Sequence, residues 1–233
     1  MSSTVRRDEL ASNLADVERR IVAACHASGR ERRDITLVVV TKTYPAADVE
    51  LLAELGVVDV GENRHPEAGD KADEVKAPMR WHFLGGLQTN KAGAVARYAD
   101  VVHSVDRRKL VGALSRGAEA AGRSLTCLVQ VDFDTTDPGR SGIAPDGIDE
   151  LADAIDAAPG LVLGGLMTVA PLGDDPAPHF EHLVRLSADL CRRHPGATII
   201  SAGMSGDFEI AIAAGATHLR IGRSVLGERP SSG

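Results

Sequence analysis

The chain has 233 residues, 43% of them hydrophobic but only 3% aromatic, so its core must be aliphatic, built from Ala, Val, Leu and Ile. A formal charge of −7, from 33 acidic against 26 basic side chains and with no basic stripe, argues against a nucleic-acid partner. No apolar run nears the roughly 18 residues of a membrane span, and three scattered cysteines without CxxC spacing argue against a disulfide framework or thiolate zinc site, so the chain reads as cytoplasmic with no membrane contact.

Residues 1–30 show one helical pattern, with Leu10, Leu14, Val17 and Ile21 on an apolar stripe that ends near Gly29. This reads as an extra helix packed on the outside or bottom of the domain. From Arg33 onward, short apolar runs alternate with longer segments of helical spacing. The runs are 35–41, 57–60, 81–84, 101–104, 125–132, 161–169, 198–201 and 217–221. Between them lie sets such as Ile148, Leu151, Ala152 and Ile155, or Phe180, Leu183, Val184, Leu190 and Cys191. Near-continuous Val/Ile/Leu runs fit strands buried on both faces, and parallel strands need crossover helices. Eight such units predict an α/β fold, a single (β/α)8 barrel domain over 1–233. A doubly wound open sheet is the alternative, needing fewer strands and usually a Gly-rich first turn. The stretch 174–178 reads as a turn before a helix, and no linker divides the chain.

In such a barrel the chemistry lies at the carboxyl ends of the strands. Lys42 follows the first run directly, its stem held by packing and its amine near the mouth. Desolvation there favours a neutral amine suited to Schiff-base chemistry, although a snorkelling lysine fits the same position. After the seventh run stands Gly203-Met204-Ser205-Gly206-Asp207, and after the eighth Arg220-Ile221-Gly222-Arg223-Ser224. Glycines allow close backbone approach, helix starts bind anions, and this corner of a barrel often holds a phosphate. Ser205 or Asp207 as an ordinary helix cap is the competing reading. His82 and His103 are either mouth residues or hydrogen-bonded core histidines, and His179 with His182 reads as a solvated helix face.

Taken in order, Thr41-Lys42-Thr43, Gly61-Glu62-Asn63, Trp81-His82-Phe83 leading to Leu87-Gln88-Thr89-Asn90-Lys91, His103-Ser104-Val105-Asp106, Gly165-Leu166-Met167, Gly203-Met204-Ser205 and Arg220-Ile221-Gly222 form a recognisable series. Over about residues 35–227 the chain resembles the pyridoxal 5′-phosphate (PLP) homeostasis proteins, single-domain barrels of the alanine racemase N-terminal type. The resemblance implies that Lys42 holds PLP as an internal aldimine and that Asn63 lies near the ring's phenolic oxygen. It implies that Met167 packs by the cofactor, and that Ser201, Ser205 and the Gly222 backbone hold its phosphate. Arg220 would approach the pyridine nitrogen or the phosphate, and His82, Gly203 and Met204 complete the implied cofactor site; no metal is implied. The chain departs from the pattern where Thr41 replaces Ser, Arg64 stands for a frequent Tyr, and Arg140-Ser141-Gly142 stands for Lys-x-Gly.

Three functions compete. A PLP-binding homeostasis protein would hold the cofactor, and related B6 vitamers, and pass it to PLP-dependent apo-enzymes as a monomer without turnover. A PLP-dependent amino-acid racemase is the alternative, and a Schiff-base aldolase acting on a phosphosugar without PLP ranks third. Racemases of this fold add a C-terminal β domain, whereas this chain runs only twelve residues past Ile221, which favours the first.

Overall fold

The computed structural model describes residues 3–134 and 139–227. Eight strands close into a parallel barrel in strict chain order. They are β1 (Thr36–Val40), β2 (Asp59–Glu62), β3 (Arg80–Phe83), β4 (Val101–Val105), β5 (Leu125–Val131), β6 (Leu161–Thr168), β7 (Ile199–Ser201) and β8 (His218–Ile221). The register of β8 on β1, with Val38 opposite Arg220, closes the ring. Because every strand points the same way, all eight carboxyl ends open onto one mouth.

The helices are α1 (Ser3–Ala27), α2 (Ala46–Glu54), α3 (Glu67–Glu74), α4 (Ala92–Val95), α5 (Arg108–Ala121), α6 (Ile148–Asp156), α7 (Pro176–Arg193), α8 (Phe208–Ala214) and α9 (Arg223–Leu226). Their local causes are legible. In α5, Leu110, Val111, Leu114 and Ala118 share one buried face, and Gly122 ends the helix in the left-handed conformation that costs a glycine little. Asp175 caps α7 by accepting the Ala177 N–H, with Pro176 at the first position, where its missing N–H removes no helical bond. Outward-facing strand residues and these helix faces form one continuous, mainly aliphatic core that also buries Phe83, Phe180 and Phe208.

The first helix packs on the outside, not the bottom, lying across α8, α9 and α2. Leu10, Val17, Ile21 and Cys25 are its buried stripe. Polar ties fix it there: Arg6 pairs with Asp48 on α2 at 2.7 Å, and Asn13 donates to the Val225 carbonyl at 3.1 Å. The second strand begins two residues later than its apolar run, so Asp59 and Glu62 lie buried inside it.

Candidate functional site

Lys42 follows β1 at the mouth, half-buried, and the next residue turns sharply. Thr43 has φ +72°, a left-handed conformation rarely adopted by a β-branched residue and held only where the surroundings over-determine it. The chain just before Lys42 is pinned as well. Lys71 of α3 donates to the Thr41 carbonyl at 2.8 Å and pairs with Glu62 of β2, which also accepts the Thr41 hydroxyl at 2.7 Å. Lys71 and Glu62 are both buried. This ion pair under the lysine carries no sequence signal beyond the two residue types.

Across the mouth, the turns after β7 and β8 lie side by side. The Ser224 N–H donates to Ser205 Oγ at 3.4 Å. Gly203 has φ +90°, and a Cβ there would stand 2.7 Å from the Ala211 Cβ; one at Gly222 would stand 3.0 Å from the Val40 carbonyl oxygen. Gly203 therefore requires glycine, and at Gly222 a side chain would be tightly crowded by β1. Neither expected cap is made. Asp207 turns back to accept the Met204 N–H at 2.6 Å, and α8 starts without a side-chain cap.

The barrel's interior is only partly apolar, with Val101, Leu128 and Met167 in one buried cluster. A hydrogen-bonded chain crosses the rest. From the amino end, His82 Nε2 lies 2.8 Å from Asp59 Oδ1, and His82 Nδ1 lies 2.8 Å from His103 Nε2. His103 Nδ1 lies 2.9 Å from Ser201 Oγ, which accepts from Arg220 Nη1 at 2.6 Å, while Arg220 Nη2 donates to the Thr168 carbonyl at 2.8 Å. Both histidines, Ser201 and Arg220 are buried. Burial opposes ionisation of Asp59, yet the hydrogen bond from His82, aided by the hydrogen bond and charge of Arg80, holds its carboxyl below the usual range. Burial, with the nearby Arg220 cation, drives His103 well below the ordinary imidazole value, so it is neutral. Burial lowers Arg220 to about 10, partly opposed by the charge of Asp207; it remains a cation, without a carboxylate in ion-pairing reach among the described residues.

The structure thus brings Lys42, the Gly203–Ser205 turn, Arg220 and Gly222 to one end of the barrel. Asn63 follows β2 there, its backbone oxygen so close to Gly85 that a Cβ would stand 2.1 Å away. Met167 is buried with Val101 and Leu128, and Met204 is exposed. His82 lies within the barrel with both ring nitrogens taken, as a hydrogen-bonded core histidine, and the Ser201 hydroxyl is engaged by His103 and Arg220. Arg140 is held by Asp132 at 2.8 Å and the Val169 carbonyl at 2.7 Å. His179 pairs with Asp174 and His182 stacks on Phe133. Among the described residues no group of three or more His, Cys, Asp or Glu is placed to hold a metal ion, and no helix is long and apolar enough to cross a membrane.

Comparison with known proteins gives a consistent result. The family described as alanine racemase, N-terminal domain, matches residues 6–230. The pyridoxal phosphate homeostasis protein of Mycobacterium leprae is 39% identical, covering 95% of this chain and 93% of its own length. The protein of the same name from Escherichia coli is 35% identical over 97% of this chain and 99% of its own. Among solved structures, PipY of Synechococcus elongatus, with PLP bound, superposes with a TM-score of 0.81 at 30% identity, covering 94% of this chain and all of that one. An alanine racemase of Clostridium difficile shares the fold at a TM-score of 0.73 and 17% identity, and this chain spans 61% of its length.

Proposed function

The chain belongs to the alanine racemase N-terminal domain family and to the pyridoxal phosphate homeostasis proteins, and from that membership we propose that it binds PLP and serves PLP homeostasis, holding and delivering the cofactor without turnover of its own. The observation that carries this reading is the Arg220 guanidinium, a buried cation below the mouth that has Lys42 on its rim. A buried charge without a counter-ion is costly, and an anionic or electron-rich ligand above it offsets that cost. PLP, when bound, supplies an aldehyde that an amine captures and a ring that withdraws electrons.

The residues present suit such a group. Lys42 supplies the amine, and Asn63 serves the phenolic oxygen. Met167 offers an apolar contact. Gly203, Met204, Ser205 and the Gly222 backbone, at two adjoining glycine turns, serve the phosphate, and Ser201 and His82 contribute through Arg220. Arg220 faces the ring nitrogen. A cation there disfavours protonation of that nitrogen and weakens the ring as an electron sink, which suits holding over turnover. Related B6 vitamers are further ligands, PLP-dependent apo-enzymes are transient partners, and the working state is a cytoplasmic monomer.

Borohydride reduction of the PLP-loaded full chain, followed by peptide mass mapping, tests the reading. The pyridoxyl adduct is expected on Lys42 and absent from Lys42→Ala. An adduct mainly on Lys91 or Lys109 refutes the assignment. Racemisation of alanine or serine above the rate of free PLP, abolished by Lys42→Ala, would make the chain an enzyme.

A further inference from the structure

The chain of hydrogen bonds inside the barrel has only one arrangement of protons that satisfies every member. Arg220 can only donate, so Ser201 Oγ accepts from it. The Asp59 carboxylate can only accept, so His82 carries a hydrogen on Nε2. A neutral His82 then presents a bare Nδ1, and His103 must supply the hydrogen between the two rings from its Nε2. The His103 Nδ1 is left bare and receives the Ser201 hydroxyl hydrogen. Each donor has an acceptor, and all bonds point one way, from Arg220 at the mouth end to Asp59 at the amino end.

The other arrangement adds a proton to His82. Its Nδ1–H then faces His103, which is forced into the Nδ1–H tautomer, and Ser201 Oγ accepts from both His103 and Arg220. The Ser201 hydrogen is then without an acceptor among the described residues, in a fully buried position, and an unmade buried hydrogen bond is expensive. The extra charge would also join Arg220 inside the barrel, with Arg80 at 3.0 Å from Asp59 and the His218 ring 6.3 Å from that of His82.

We propose that His103 and His82 are positioning residues: they complete a one-way donor chain that fixes the Ser201 hydroxyl and, through it, the orientation of the Arg220 guanidinium beneath the mouth. The chain is a property of the ligand-free barrel. Its effect on the cofactor rests on the PLP reading above, and the two are tested separately.

The first arm uses the full chain, ligand-free and labelled with 15N-histidine, in two-bond nitrogen–proton correlation spectra at pH 7.5. His82 and His103 are expected as neutral rings protonated on Nε2, each assigned by loss of its signals in His82→Gln and His103→Asn. A His103 protonated on Nδ1, or a doubly protonated His82, overturns the proposal. The second arm titrates PLP into variants. His103→Asn keeps a side-chain acceptor where Nδ1 stood, facing Ser201, whereas His103→Leu removes it. His103→Leu should weaken PLP retention about tenfold, the effect of one lost hydrogen bond, and shift the absorption maximum of the complex. His103→Asn should stay close to the wild type in both readouts even if both variants lose the same melting temperature. Equal spectra and affinities in all three, or equal losses in both variants, overturn the positioning role. A wild type that takes up no PLP refutes the proposed function, while the tautomer measurement still decides the chain.

Discussion

Acidification should loosen this barrel through its interior imidazoles before its carboxylates titrate. Burial pushes His218 down to about 4 and drives His103 well below the ordinary 6.5. In the unfolded chain both rings take up a proton near pH 6.5; in the folded barrel His218 does so only near 4. Between those values the unfolded state binds more protons, so stability is full above about pH 6.5 and is lost as the pH falls towards 4. At roughly 1.4 kcal/mol per pH unit, His218 alone accounts for about 3 kcal/mol across that window. Against a total of about 5–15 kcal/mol for a domain this is a large share. His103 adds to the same slope. Asp59, held below the usual carboxylate range, loses its contribution only at lower pH. Urea unfolding followed by far-ultraviolet circular dichroism at pH 7.5, 6.0 and 5.0 measures the slope. His218→Asn removes one titrating ring and should flatten the curve by one proton's worth. Equal stability at pH 7.5 and 5.0, or a variant that tracks the wild type, refutes the reasoning.

Two further changes probe the walls of the mouth. Lys71→Met leaves the buried Glu62 carboxylate without its cation and should cost about 3–5 kcal/mol in chemical denaturation, whereas Glu62→Gln combined with Lys71→Met should recover much of that loss. Gly203→Ala meets a left-handed backbone and the Ala211 Cβ at 2.7 Å, so it should lower the melting temperature and weaken PLP retention, while Gly206→Ala, with open space around it, should do neither.

Much of the barrel can be read from the sequence because its strands announce themselves by unbroken apolar runs, and the eight observed strands overlap the eight expected ones. The exception is instructive. The second run, 57–60, is interrupted by Asp59 and ends at Val60, yet β2 starts at Asp59 and continues to Glu62. A buried aspartate or glutamate breaks the pattern unless its partner is known, and those partners, His82 and Lys71, stand on other elements. The same blindness hides the interior chain. Nothing around His103 says that Ser201, 98 residues away, will stand across the barrel from it; only closure of the ring brings β4 to β7. Lys42 and the two glycine turns are legible because their chemistry is local: a lysine at a strand end, glycine and serine at helix starts. The bend at Thr43 is not, since a β-branched residue gives no hint of positive φ.

The placement of α1 bears on how the chain reaches this state. Of the described elements it comes first, yet it lies against α8 and α9, which come last, and Arg6 reaches the Leu226 carbonyl 220 positions away. α2 meets it early, but the helix makes most of its contacts with those late helices. During synthesis the helix must therefore wait, with much of its apolar face open, until α8 and α9 emerge. Contacts of such sequence separation slow folding and lengthen the interval in which an uncovered surface meets other chains. The joint that fastens the seam between β8 and β1 is thus the last to be made, and the moment of its docking sets when the nascent barrel stops being vulnerable.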